Sequence, residues 1–345
     1  MIVVDGVLIS VSPEGKGSPP GREMLASLLE LPALISASER LKATPQWKFS
    51  VSDEQSPPLK LVYVFQHEYA TVDPNLVHLV GTDEATTCVG LVIRNSRNGM
   101  VSVAHMDFVE VVDMGLRQML NMIVEDDEDP ILDVHLIGGF EDAPSGFVDD
   151  ATGSKYRKHP DGYSLPLCSK ILEALHCRPE RFQVQTLCVL GHNTKRDQNG
   201  NAYPVIGGFL LDTSSGSVFP ASFVSTSRVP DEIVRRVRVT VSSMDSSWEG
   251  KLLETYDTKQ DRFQIAACSW SSGWRQYVLS LQQLSDSEIL SQCSTSPAAE
   301  PPDFVENERR KWAYMIKYAD WRQTFPGRRP RIFERTSDGK WIRCS

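Results

Sequence analysis

The run "CVGLVIRNSRNGMVSVAHM", from Cys88 to Met106, leaves this chain little conformational choice. Two apolar, β-branched segments flank a short polar loop carrying Asn-Gly, the strongest local signal for a β-hairpin. With the turn at Asn95 to Asn98, paired residues have numbers that total 193, and Cys88 then stands opposite His105. Directly opposed side chains share a face with Cβ atoms about 4.5 to 5.5 Å apart, close enough for an imidazole to meet a thiol. A bulge at Gly99 would change this register. Two readings are open. A lone Cys and a lone His on apolar strands are ordinary packing residues. Opposed, and beside the hydroxyl-rich turn "GTDEATT", they are also a thiol, a base and a set of backbone donors for an oxyanion.

Around this hairpin the chain reads as an α+β protein, an antiparallel β-sandwich-like core flanked by helices. "REMLASLLELPALISASERLKA" has helical spacing broken by Pro32, giving two short helices. "LKLVYVFQHE" and "NLVHLVGT" read as strands joined by "YATVDP". Val112, Leu116, Met119, Leu120, Ile123 and Val124 mark one helix face, ended by the acidic loop "EDDEDP". "ILDVHLIGGF", "FQVQTLCVLG", "YPVIGGFLLDT" and "SVFPASF" read as strands, and "LPLCSKILEALHC" as a helix. A Gly/Pro/Asp-rich polar excursion is expected at about 141–165. The charged segment "PDEIVRRVRVTVSS" receives no assignment. "KLLETYDTKQDRFQIAACSW" reads as a hairpin, and a C-terminal helix plus a hairpin turning at Asp338-Gly339 is expected at about 306–345. With no repeat and no long linker, one domain over residues 1–345 is expected.

Composition narrows the function. The 345 residues carry a formal net charge of -9, which excludes a broadly basic nucleic-acid surface. No apolar run approaches a membrane span, and Asp5 stands where a signal peptide needs basic residues. A chain of the cytoplasm or the nucleus is expected, with no membrane and no nucleic acid among its partners. Seven scattered cysteines imply no disulfide framework. There is no CxxC and no HExxH, so no metal is expected. The glycine pairs of "LIGGFED" and "VIGGFLLD" complete no phosphate-binding pattern and are assigned to turns and close packing.

"GTDEATTC", "NGMVSVAH", "DVHLIGGFED", "YPVIGGFLLD", "PASF" and "STSPAAEPPDFVE" together resemble the protein N-terminal asparagine amidohydrolases, from about Leu61 to Glu306. The N-terminal portion and the 141–165 excursion depart from that pattern. Thr82, Cys88 six residues on and His105 seventeen further also match the spacing of bacterial chemoreceptor glutamine deamidases. The resemblance implies a Cys88-His105-Thr82 triad on a sandwich-like core, with no cofactor. It implies attack of the Cys88 thiolate on the side-chain amide of an N-terminal Asn and an oxyanion held by backbone amides near Thr87 and Cys88. It also implies release of ammonia and formation of N-terminal Asp, which would feed N-terminal-residue-dependent protein degradation. A free α-ammonium needs a carboxylate, for which Asp83, Glu84 and Glu300 are candidates. Expected partners are proteins or peptides beginning with Asn, met by a monomer. A deamidase of internal Gln or Asn side chains and a non-catalytic module for N-terminal peptides are the alternatives.

Overall fold

A computed structural model describes residues 1–9, 20–50, 59–125, 129–143, 160–242 and 245–344. Its central feature is an eight-stranded sheet with strand Val89–Asn95 in the interior, hydrogen-bonded antiparallel to Val101–Met106 on one side and Ile131–Gly138 on the other. Glu68–Val72 extends the sheet beyond Val101–Met106, and Arg181–Cys188 continues it, parallel, beyond Ile131–Gly138.

The hairpin strands are buried on both faces, which is why each is a nearly continuous apolar run. Leu91, Ile93, Ala104 and Met106 turn toward helices Pro20–Leu29, Val112–Ile123 and Ser164–His176. The alternate residues Val92, Val103 and Ile137 face a second sheet and meet Val62, Val80, Phe209 and Leu211. That sheet has five strands and includes Leu61–Tyr63, Leu79–Thr82, Phe209–Asp212 and Val218–Phe223. Each such buried aliphatic or aromatic side chain contributes about 1.5 to 3 kcal/mol. The layers are helices, sheet, sheet, so the sandwich-like core is present. It is not purely antiparallel, because Leu61–Tyr63 pairs parallel with Leu79–Thr82 and Ile2–Val4 parallel with Arg181–Cys188.

The expected hairpin forms, but not in the expected register. Asn95 N–H donates to the Met100 carbonyl and Gly99 N–H to that of Asn95, so the loop is residues 96–99, with Gly99 at φ 75°. Only glycine adopts that left-handed conformation readily. Paired numbers therefore total 195, His105 opposes Gly90, and Cys88 lies one rung beyond the last ladder pair, Val89 and Met106. The shift of two residues therefore offsets Cys88 from His105 along the hairpin, where direct opposition was expected.

Other expectations also needed correction. "YATVDP" is not a connection, since Glu68–Val72 is itself a strand. The chain turns at Gln66 and His67, the latter at φ 64°, and passes from the second sheet to the first. "YPVIGGFLLDT" is two strands, Ala202–Pro204 and Phe209–Asp212. The unassigned charged segment contains helix Glu232–Ser242, and helices Ser272–Leu281 and Asp286–Cys293 follow where none was expected. Pro32 does divide the N-terminal helices, opening Pro32–Ala43 at its first turn. The C-terminal helix is Phe304–Lys317, and Arg331–Arg335 pairs with Trp341–Arg343 as the terminal hairpin. Most of the polar excursion, residues 144–159, lies outside the described residues, as do residues 126–128 of the acidic loop.

Candidate active site

Thr82 ends a strand of the second sheet and His105 lies near the end of a strand of the first, and both are buried. Thr82 Oγ1 and His105 Nδ1 are 2.8 Å apart, a hydrogen bond across the sandwich. Thr82 Oγ1 also lies 3.5 Å from the Asp83 carbonyl, to which it donates. The hydroxyl thus accepts from Nδ1–H, a tautomer assigned by this network, and the lone pair falls on Nε2. His105 Nε2 is buried and has no hydrogen-bond partner among the described residues. Burial lowers the His105 pKa to about 4, with Asp107 opposing the drop, so the ring is neutral.

Cys88 follows the bend Thr86-Thr87 and is buried. Burial pushes its thiol well above the usual range, and the nearby carboxylates of Asp107 and Glu300 push it further. Thiol and imidazole are both uncharged in this state. Gly138, at φ 110°, wraps this bend so closely that a Cβ there would lie 2.8 Å from the Cys88 carbonyl oxygen. A Cβ on Gly208 would lie 2.5 Å from that of Asp83. The glycine pairs are packing residues, as expected, and what they pack is this loop.

The three candidate carboxylates have different surroundings. Asp83 accepts from Tyr63 Oη and Arg228 Nε on one oxygen, and from Phe223 N–H and Arg228 Nη2 on the other. Its acceptor capacity is spent inside the protein. Glu84, at φ 61°, has Oε1 3.0 Å from both Arg228 Nη1 and Arg236 Nη2, and accepts from Asn307 Nδ2. The strained turn at Glu84 is held by these bonds. Glu300 accepts from Ser294 Oγ, and burial raises its pKa to about 7. Its loop reaches the bend before Cys88 through a 2.9 Å bond between the Thr87 and Thr295 hydroxyls.

Arg228 was not singled out in the sequence. It is buried, grips Asp83 with two nitrogens at 3.1 and 2.9 Å, and reaches Asp303 Oδ2 at 3.0 Å. Asp303 lies three residues past Glu300, so one guanidinium ties the Cys88 loop to the Glu300 loop. Nothing local in "STSRVP" signals this, because its partners are 145 and 75 residues away. Asp107 was also missed. It is hydrogen-bonded to His67 Nδ1 at 2.9 Å and occupies the position after Met106, whose partner is Val89.

Among the described residues, no group of three or more His, Cys, Asp or Glu side chains could hold a metal ion, and no helix is long and apolar enough to cross a membrane. The arrangement can supply a nucleophile, a neutral base with a fixed tautomer, and a carboxyl group that titrates near neutrality.

Residues 51–343 match the family described as protein N-terminal asparagine amidohydrolase. The chain is 51% identical over 350 residues to an Arabidopsis thaliana protein of that name, covering all of both chains. It is 30% identical over 317 residues to a Mus musculus protein of the same name, covering 90% of this chain and 93% of the relative. A Homo sapiens protein of that name is 29% identical over 318 residues, with the same shares covered.

Proposed function

This chain belongs to the protein N-terminal asparagine amidohydrolase family, and from that premise we propose that it hydrolyses the side-chain amide of N-terminal Asn through a thioester on Cys88. Its expected substrates are proteins and peptides with a free N-terminal Asn, and its products are N-terminal Asp and ammonia. The observation that carries the mechanism is the 2.8 Å bond from His105 Nδ1 to Thr82, which leaves Nε2 buried without a partner among the described residues. An imidazole so held is a base with one outlet.

The chemistry runs as follows. Cys88 Sγ forms a bond to the amide carbon while its proton passes to His105 Nε2, and backbone amides of Thr87 and Cys88 receive the oxyanion. Collapse of the tetrahedral species breaks the C–N bond, and the Nε2 proton leaves with the amine as ammonia. Water then gives a proton to Nε2 and its oxygen to the thioester carbon. The C–S bond breaks, the proton returns to sulfur, and Asp remains.

Of the three carboxylates, Glu300 is the one we assign to the α-ammonium. Asp83 is saturated by internal donors, and the Glu84 oxygen with mapped contacts is held by Arg228, Arg236 and Asn307. This choice also couples substrate binding to the thiol. Glu300 is one of the negative charges that suppress the Cys88 thiolate. A substrate cation placed against Glu300 cancels that field, so the nucleophile becomes easier to ionise when the correct end of a peptide has arrived. The products mark proteins for N-terminal-residue-dependent degradation, in the cytoplasm and nucleus.

Ammonia release from matched Asn-initiated peptides, free and N-acetylated, tests the reading. The free peptide is expected to react and the acetylated one to be inert. Equal rates would point instead to a deamidase of internal side chains, and binding without ammonia release to a non-catalytic module. Asn should also be preferred over Gln by on the order of 100-fold in kcat/KM, because one extra methylene moves the amide carbon off Sγ by about 1 Å while the ammonium is held.

A further inference from the structure

A cleft of about 1070 Å³ opens beside the site. Neither Cys88 nor His105 lines it, and it is larger than an Asn side chain needs, at the top of the range of about 300 to 1,000 Å³ usual for ligand pockets. Residues adjoining the site line it in two places. Asp107 lines it, and Asp107 is near enough to Cys88 to raise the thiol pKa. Gln292 and Cys293 also line it, immediately before Ser294, the hydroxyl that donates to Glu300. The cleft is thus lined by residues that adjoin both the His105 strand and the Glu300 loop, on a side by which the rest of a bound peptide can leave.

Its charged groups are mostly of one sign. The carboxylates Asp107, Glu110, Asp245, Glu249 and Glu308 line it against a single lysine, Lys311, whose Nζ is already 2.6 Å from Glu308. Glu110 and Glu249 are exposed, and neither forms an ion pair among the described residues. Between these acids stand aromatic rings. Phe108 is 46% and Tyr277 43% exposed, and Trp274 packs edge-on to Tyr277 at 5.7 Å. On the same wall Trp248 already carries a guanidinium, that of Arg238, 5.0 Å from its ring centre. Acids interleaved with exposed ring faces attract cationic side chains twice, through charge and through the ring quadrupole.

We propose that this cleft receives the substrate residues after the terminal Asn, and that it selects chains with lysine or arginine in the next few positions. The inference rests on the amidohydrolase reading for its substrate, and extends it to a preference that the Cys88 site cannot impose.

The test uses the full-length enzyme and three peptides, Asn-Lys-Lys-Gly, Asn-Gly-Gly-Gly and Asn-Glu-Glu-Gly, each with a free N-terminus and an amidated C-terminus. At low ionic strength kcat/KM for the lysine peptide should exceed that for the glutamate peptide by on the order of tenfold, mainly through association rate. The ratio should fall toward one in about 1 M salt, where screening acts within roughly 3 Å. The double variant Glu110→Lys, Glu249→Lys, altered only at exposed positions, should reverse the order of the lysine and glutamate peptides. Equal kcat/KM for the three peptides, or an unchanged order in the double variant, would overturn the proposal. If no peptide released ammonia, the amidohydrolase reading would fall instead. Fluorescence titration of a labelled Asn-Lys-Lys-Gly peptide would then still decide the cleft, which is supported by binding that the double variant loses and refuted by binding that it keeps.

Discussion

Thr82 and His105 belong to different sheets, and the bond between them spans the interior of the sandwich. Replacing Thr82 by Val keeps the volume and removes the acceptor, leaving Nδ1–H buried without a partner and the ring free to adopt the other tautomer. The expected loss in kcat is on the order of 100-fold, the range usual for a misplaced general base. KM should change little, and Thr82→Ser should restore most of the rate. Steady-state kinetics on an Asn peptide check this, and a fully active Thr82→Val would remove the hydroxyl from the mechanism.

Cys88→Ser should abolish turnover with no more than a small change in melting temperature, because a serine hydroxyl is not ionised near neutral pH. His105→Ala should be comparably inactive, and the double variant no worse than either single one, since members of such a unit are not additive. A double variant much weaker than both would indicate independent roles.

The pH profile has a worked sign. Glu300 must be ionised to hold a cation, and its pKa in the free enzyme is raised to about 7. The kcat/KM profile should therefore fall, with one proton, as pH drops below about 7. His105, at about 4, is already neutral there. Glu300→Gln should raise KM and erase this limb. It should also change stability in a defined direction. A carboxyl whose folded pKa lies above the ordinary 4.5 favours the native state at low pH, and that contribution is lost as pH rises through about 7. Denaturant titrations at pH 5 and pH 8 on parent and Glu300→Gln measure it. Loss of the pH dependence is expected in the variant.

The thiol provides an independent readout. Since Glu300 is among the charges that raise the Cys88 pKa, Glu300→Gln should lower it, and alkylation of Cys88 at a fixed pH should become faster. Iodoacetamide rates at matched pH values, followed by mass spectrometry of the Cys88 peptide, compare the thiolate in parent and variant. An upward shift would contradict the proposed role of the substrate cation.

Arg228 is the residue on which the site's geometry most depends. Arg228→Gln leaves Asp83 and Glu84 short of a buried counter-charge, a defect of about 3 to 5 kcal/mol, and should lower the denaturation midpoint steeply. Asp303→Asn keeps the Asp83 pair and loosens only the link to the Glu300 loop. It should retain the fold and lose part of the discrimination between Asn and Gln peptides.

Local features of the chain were legible in its residues, and distant pairings were not. Pro32 divides two helices because its ring ends one and opens the next, a fact of one residue. The hairpin was visible from Asn98-Gly99, but its register depends on which residue takes the left-handed conformation, and moving the turn by one position shifts every pair total by two. With the larger total, His105 pairs with Gly90 where Cys88 was expected. Helix Glu232–Ser242 was missed because "RRVRVTV" alternates like a strand. Its arginines are buried, Arg235 against Glu68 and the rings of Phe65 and Phe263, so charge did not mark solvent. Asp83 was a poor choice for the substrate cation for the same reason: its partner, Arg228, is 145 residues away.

Gly90 stands opposite His105, and a methyl group built on it would lie 2.3 Å from the ring of Phe209. Phe209 is also the ladder partner of Thr82. The gap between the sheets at the site is therefore set by a ring resting on bare backbone, and the hydroxyl bonded to the imidazole rides on the same strand pair. Such an enzyme is its own strain gauge. Anything that wedges the layers apart, whether a single methyl, moderate heat or hydrostatic pressure, should quench turnover while circular dichroism still records intact strands.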